Sequence, residues 1–440
     1  MPGADSRTPP RVVLMRNVFD NLGDAAMLEC EIEALQRHLP EASLTVLTDD
    51  RRLAPRYPQV AWGEGDLVIG TPAPPRARTA VRRVLAGSGA GPWRRVTGRV
   101  WNALATPYRR RSVRRFTDAA TRLTSAAGVS GLHGRTRHLL DTLRSASLVV
   151  GGGGLIGAVP AISEPRRALY AALRALGVPY VLHGVSFTDA WADDTYAGAA
   201  LVVVRDRSHS RARAVASGVD DRVLVEAVDP AFALAPAGDR DVAETLASLG
   251  LERGTFLAVN VRAADRDSLA ALLLRLSEIL PEVARRLPVK KVLLFGMQRF
   301  RENHDGDVLA RLAGSLAGRL PVALWAPEGN PGLLKGVLAS ARAIVSCRYH
   351  GAVFGLSSGV PTIGLVLSAD YEVKLAGLFQ WYGLDRLVLD VDRLCRAAAT
   401  SWLTEIGNRD GELRLHLARL NQDLARLRER PYERMASLVA

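Results

Sequence analysis

Ser346-Cys-Arg-Tyr-His-Gly-Ala-Val-Phe-Gly-Leu-Ser-Ser-Gly-Val-Pro-Thr-Ile-Gly-Leu365 reads as the end of a buried strand, a polar loop, a glycine-interrupted helix and a further strand. A short apolar strand followed by a helix and another apolar strand is the repeating unit of a parallel α/β sheet. Arg348 and His350 alternate across the loop. An extended backbone sends residues i and i+2 to the same side, so both are expected to face one anion. A helix starting at Gly351 would add its N-terminal amides to the same place.

The unit repeats in both directions. Upstream, Phe256-Leu-Ala-Val-Asn-Val261, Lys291-Val-Leu-Leu-Phe295, Val322-Ala-Leu-Trp325 and Ala343-Ile-Val-Ser346 read as buried strands, with helical spacing at 267–286, 304–318 and 331–340. Pro236-Ala-Gly-Asp-Arg-Asp241 interrupts the pattern as a linker would. Before it the alternation runs again. Strands are expected at Arg11–Arg16, Leu44–Thr48, Asp66–Gly70, Ser147–Val150, Tyr180–His183 and Leu201–Val204, with helices at 25–39 and 166–176. From Arg393 to Leu438 the Leu and Arg spacing is helical.

The fold class is therefore α/β, with two Rossmann-like domains facing a cleft in the arrangement called GT-B. Residues 1–236 are expected to form the first domain, 237–392 the second, and 393–440 helices packing back on the first. The net charge of +13 is local. Residues 71–147 hold sixteen arginines and two acids, Asp118 and Asp141, a basic helical insertion in an otherwise near-neutral scaffold. Arginines interleaved with Trp93, Val96, Trp101 and Leu104 suit either an anionic membrane surface or a solvated basic face. No RNP-type motif or zinc finger supports a nucleic-acid partner. Cys30, Cys347 and Cys395 are too dispersed for a disulfide framework or a zinc site. No apolar stretch has the length of a signal peptide or membrane span, which predicts a cytoplasmic protein, peripheral at most at the inner face of the membrane.

In such sheets ligands lie beyond the carboxyl ends of strands. Asn17 to Asp24 is the first loop there, and Asp24 either caps the following helix or meets a sugar hydroxyl as ligand or base. Gly151 to Gly154 is the second, a tight turn or a place where the amides of Gly152 and Gly153 approach a ligand. It matches neither GxGxxG nor a Walker A motif, so nucleotide binding is not indicated. Arg205 follows a buried strand and either points into the cleft or pairs with Asp206 or Asp229. Arg262 and Arg266 stand at a similar place in the second half.

Seven segments in order carry a resemblance: Asn21-Leu-Gly-Asp24 with Ala26-Met27, Gly151-Gly-Gly-Gly-Leu155, Val204-Arg-Asp-Arg-Ser208, Val228-Asp-Pro-Ala-Phe232, Cys347-Arg-Tyr-His-Gly351, Gly359-Val-Pro-Thr362 and Tyr371-Glu-Val-Lys374. Over about residues 11 to 390 the chain resembles the polysaccharide pyruvyl transferase family. The resemblance implies phosphoenolpyruvate as co-substrate and a saccharide acceptor of cell-surface or secreted polysaccharide synthesis, lipid-linked if the basic insertion meets a membrane. It also implies that Arg205, Arg348 and His350 bind the donor's phosphate and carboxylate, with Lys374 near them, the acceptor on the side of the first domain and the donor on that of the second. Asn21, Gly152, Gly153 and Arg262, in loops that follow strands, are expected as further substrate-binding residues. Ketal formation needs an acid for the methylene carbon and a base for the acceptor hydroxyl; His350 and Asp24 are the expected pair. No metal or cofactor is expected. A GT-B glycosyltransferase with a nucleotide-sugar donor, or a catalytically silent scaffold, would share this fold.

Overall fold

A computed structural model of the protein describes residues 9–16, 18, 21–48, 50–64, 135–157, 160–188, 194–207, 209–262, 266–298, 305–367, 369–390 and 406–440. Two parallel sheets organise it. The first comprises β1 (Arg11–Met15), β2 (Ser43–Thr48), β3 (Ala61–Glu64), β4 (Leu148–Ile156), β5 (Tyr180–Phe187), β6 (Leu201–Val204) and β7 (Leu224–Glu226). Its spatial order is β3-β2-β1-β4-β5-β6-β7. The second comprises β8 (Phe256–Asn260), β9 (Lys291–Phe295), β10 (Val322–Trp325), β11 (Ala343–Ser346), β12 (Thr362–Val366) and β13 (Val388–Asp390), in the order β10-β9-β8-β11-β12-β13.

Both are Rossmann-like. Unbroken apolar runs such as Leu201-Val-Val-Val204, buried at every residue, are what a sheet covered on both faces requires. The strand order reverses between β1 and β4, where Val12 pairs with Leu148, and between β8 and β11, where Ser346 pairs with Asn260. These switch points are where an open α/β sheet leaves a crevice for ligands.

Two helices tie the halves together. The helix Leu22–His38 is buried along most of its length, because it packs on both cores. Ala25, Leu28, Ile32 and Leu35 join the core of the first half. Leu22, Ala26, Met27 and Cys30 join the core under the second sheet. Each such side chain contributes about 1–3 kcal/mol, so one helix fastens two domains. The helix Asp410–Val439 starts on the second half, burying Leu413, Leu417 and Leu424 there, and ends on the first, burying Tyr432 and Met435. At its start Arg342 pairs with Asp410 at 3.0 Å, and near its end His38 Nε2 meets Glu429 Oε2 at 2.8 Å.

Several expected boundaries move. The glycines 151–154 do not turn from strand to helix: they lie inside β4, paired with β5 through Gly152↔His183 and Gly154↔Val185. Ala61–Glu64 supplies the strand beside β2. The expected strand at 66–70 and the helical insertion up to residue 134 lie outside the described residues, as does Cys395; of that basic region residues 135–147 are described, with the helix Arg135–Arg144. Cys30 and Cys347 are buried free thiols. Among the described residues no helix is long and apolar enough to cross a membrane.

Candidate active site

The seam between the halves is built around residue 21. Asn21 caps the helix Leu22–His38, its side chain accepting from Gly23 N at 2.9 Å, and its backbone forms an isolated bridge with Gln298 of the second half. The amide of Leu22 donates to the carbonyl of Met297 at 3.0 Å. The cap is Asn21, so Asp24 stands free of that task in the first helical turn.

His350 reaches the same point from the other side. The helix that carries it, Tyr349–Ser357, starts two residues earlier than the sequence suggests, with Arg348 as its extended N-cap. Arg348 and His350 are therefore not two alternating positions of one extended strand, so strand periodicity does not set them on a common side. Arg348 turns inward, binding the Asp305 carboxylate and donating to Gln298 Oε1 at 2.6 Å. His350 turns across the seam. Its Nε2 lies 3.6 Å from Asp229 Oδ2, too far for a hydrogen bond, and has no hydrogen-bond partner among the described residues. Its ring packs against Gly23, where a Cβ would overlap the imidazole.

Arg205 is fully buried and takes the alternative left open by the sequence: its Nη1 donates to Asp229 Oδ2 at 2.7 Å. Its Nε donates to Ser186 Oγ at 3.2 Å, and its guanidinium lies over the Tyr349 ring, 4.4 Å from the centroid. Asp206 instead accepts from the amides of His209 and Ser210. Burial alone would raise the Asp229 carboxyl, but the charges of His350 and Arg205 hold it well below the usual carboxylate range.

Other cations converge here. Asp24 lies in electrostatic reach of Arg16, Arg166 and Arg205 from the first half and of Lys374 from the second. Lys374 is buried, and burial, then the repulsion of Arg205 and Arg262, pull its pKa well below the ordinary value. The backbone amide of Arg262 is bonded to Cys347, whose thiol burial pushes up to about 12. Arg16 holds Glu31 in a buried ion pair that His183 Nδ1 shares at 2.5 Å. Gly152 and Gly153 serve packing. A Cβ at Gly152, φ +114°, would lie 2.7 Å from the backbone of His183, and one at Gly153 would strike the Arg16 guanidinium.

The structure thus brings Asn21, Asp24, Arg205, His350 and Lys374 to one seam, pairs Arg348 with Asp305 and Gln298 of the second half, and sets Gly153 against Arg16 and Gly152 against the backbone of His183. Arg16, Arg166 and Asp229 escaped the sequence reading as site residues. Arg16 carried a signal, being a basic residue at the end of an apolar strand as Arg205 is.

Two parallel-sheet domains joined along such a seam define a protein of GT-B-like architecture. The chain belongs to the polysaccharide pyruvyl transferase family, whose model matches residues 21–368. No curated protein matches it significantly. Among solved structures it is similar in fold to a glycosyltransferase from Rickettsia africae, with TM-score 0.54 and 9% identity over 98% of this chain and 99% of that one. Anabaena HepE in complex with UDP and glucose gives 0.51 and 12% over 95% and 98%. A putative UDP-N-acetylglucosamine 2-epimerase from Listeria monocytogenes gives 0.54 and 10% over 94% and 91%. The protein is accordingly a transferase of that family.

Proposed function

We propose that the enzyme transfers the pyruvyl group of phosphoenolpyruvate onto two hydroxyls of a saccharide as a ketal, releasing orthophosphate. The observation that supports this most is the excess of cations from both halves around Asp24, beside an imidazole Nε2 without a hydrogen-bond partner among the described residues. A donor carrying a phosphate and a carboxylate answers that excess, since guanidinium groups bind both ions through paired hydrogen bonds.

In this reading His350 protonates the methylene carbon of the enol phosphate, and positive charge develops on the neighbouring carbon. One acceptor hydroxyl adds there, its proton passing to Asp24. Phosphate leaves, and the second hydroxyl adds to close the ketal. The methyl group gains one proton and the two hydroxyls lose two, the second leaving with orthophosphate. Asp229 holds Arg205 in place and faces His350 across 3.6 Å. The pairing of Arg348 with Asp305 leaves it a supporting part in donor binding, with Gln298 between it and Asn21.

The test is direct. The enzyme is incubated with phosphoenolpyruvate and a panel of saccharides, orthophosphate release is followed, and the ketal methyl group is sought by proton NMR. The competing donor is a nucleotide sugar, because HepE, similar in fold, is a structure with UDP and glucose bound. Release of a nucleoside diphosphate from UDP-sugars, with no orthophosphate from phosphoenolpyruvate, replaces the proposal with glycosyl transfer.

A further inference from the structure

Trp381 follows the helix Ala369–Gln380 of the second half, and together they meet three consecutive residues of the first. The indole Nε1 donates to the backbone carbonyl of Arg205 at 3.2 Å, in the interior. Gly377 faces Asp206 so closely that a Cβ there would lie 2.3 Å from the Asp206 Cβ and 3.2 Å from its Cα. The Arg207 guanidinium stands over the Trp381 ring, 5.6 Å from the centroid. Residues 205–207 leave β6 at its carboxyl end, where a parallel sheet places its ligands. The ladder of β6 ends at Val204, so the indole holds the Arg205 carbonyl where the sheet no longer does.

The side chain of Arg205 is fixed as firmly as its backbone. Nη1 donates to Asp229, with Met27 Sδ at 3.8 Å, Nε donates to Ser186, and the Tyr349 ring of the second half lies against the guanidinium. Nη2 makes no hydrogen bond among the described residues. An arginine with Nε and Nη1 spent on its own fold has Nη2 left for a ligand. Because the guanidinium is planar and its N–H groups are directional, a tilt of the backbone at residue 205 re-aims that nitrogen.

We propose that Trp381 is a positioning residue for donor binding. Through the Arg205 carbonyl and the stacked Arg207 it orients the loop 205–207, and so aims Arg205 Nη2 at the donor's anionic group. An arginine of the first half is thereby set by the second, so donor binding on one side of the seam depends on the docking of the other. That the anion belongs to phosphoenolpyruvate rests on the reaction proposed above; the positioning rests on the contacts of Trp381.

The experiment compares the full-length wild type with W381F, which keeps an apolar ring and loses the N–H, and with R207M, which removes the cation over that ring. Affinity for inorganic phosphate and, separately, for phosphoenolpyruvate is read by calorimetry, and KM and kcat in turnover. W381F is expected to weaken both anions by about 3- to 10-fold, the range of one net hydrogen bond, and R207M by about 2- to 5-fold. The KM for phosphoenolpyruvate should rise in step while the saccharide KM and kcat stay within about twofold, a split that lost packing alone would not give. In an R205K background W381F should have no further effect, because Trp381 acts through Arg205. Wild-type anion affinity in folded W381F overturns the proposal, and so does an undiminished loss in R205K or a parallel rise in both KM values. If W381F does not fold, R207M, at an exposed residue, decides by the same criteria. Turnover of a nucleotide sugar in place of phosphoenolpyruvate moves the readout to that donor: a loss that depends on Trp381 upholds the positioning and overturns only the reaction, whereas unchanged donor affinity overturns both.

Discussion

Gly23 and His350 meet across the seam so closely that a single carbon added to the first would occupy the ring of the second. The glycine lies in a helix, where alanine is intrinsically favoured, so its absence of a side chain serves the imidazole and not the backbone. Gly23→Ala should leave the circular dichroism spectrum and helix content unchanged yet lower turnover by roughly 10² or more, approaching the ~10²–10⁴ expected for His350→Asn. Survival of wild-type turnover in either variant, within about threefold, would remove His350 from the chemistry.

Asp229 is the counter-charge that lets Arg205 exist in the interior. Asp229→Asn leaves a buried guanidinium without its partner, which should cost about 3–5 kcal/mol in urea unfolding. The pH dependence has a definite sign. A carboxyl held below its ordinary value stabilises the fold fully above its unfolded pKa of ~3.9 and loses that contribution as pH falls through the folded value. Wild-type stability should therefore drop more steeply below about pH 4 than that of Asp229→Asn.

Lys374 works in the opposite direction. Its pKa lies well below the ordinary ~10.4 because burial, Arg205 and Arg262 all oppose its charge. Between the folded and unfolded values the unfolded chain holds more protons, so the unliganded protein gains stability as pH rises. Lys374→Met should flatten that slope on the way up to the ordinary lysine value of ~10.4 and raise the melting temperature there, while weakening phosphoenolpyruvate. A melting profile parallel to that of wild type across this range would show that Lys374 is not the destabilised cation.

Arg348 joins the donor question to the architecture. Arg348→Ala should weaken phosphoenolpyruvate by about 1.5–3 kcal/mol in a binding titration. Unaltered affinity would leave it as a strut for Gln298, whose backbone bridges Asn21.

The arginine-rich stretch 71–147 supports a separate expectation, drawn from sequence. Each arginine near an anionic bilayer contributes on the order of 1 kcal/mol within a Debye length of ~8 Å. Changing Arg109, Arg110, Arg111, Arg114 and Arg115 to Gln should abolish salt-sensitive sedimentation with anionic liposomes and spare activity on a short soluble acceptor. Undiminished sedimentation would reject membrane contact.

The two sheets were legible because parallel strands buried on both faces must be unbroken apolar runs, as at Leu201-Val-Val-Val204 and Ala343-Ile-Val-Ser346. The edge strands β7 and β13 were not: at three residues each, they carry no periodicity. Site residues were visible where a polar group follows a strand, as Arg205 and His350 do. Their partners were hidden, because the ion pairs of Arg348 with Asp305 and of Glu31 with Arg16 and His183 join separate elements of the chain. Gly23 shows the same limit, since the reason for it stands in the other half of the sequence. Helical periodicity at Tyr349 is masked by a glycine-rich composition, which is why Arg348 and His350 were placed on one side.

The helix Leu22–His38 also sets a rule for recombination between members of the family. Its residues Leu22, Ala26, Met27 and Cys30 are encoded with the first half but seated in the second. A chimera crossed over near residue 236 takes this plug from one parent and its socket from the other, and exposes or crowds both. An exchange that moves Leu22, Ala26, Met27 and Cys30 with the second half, and leaves Ala25, Leu28 and Glu31 with the first, keeps each fitted surface from one parent, so the unit of inheritance here is discontinuous in the gene although each sheet is continuous in the chain.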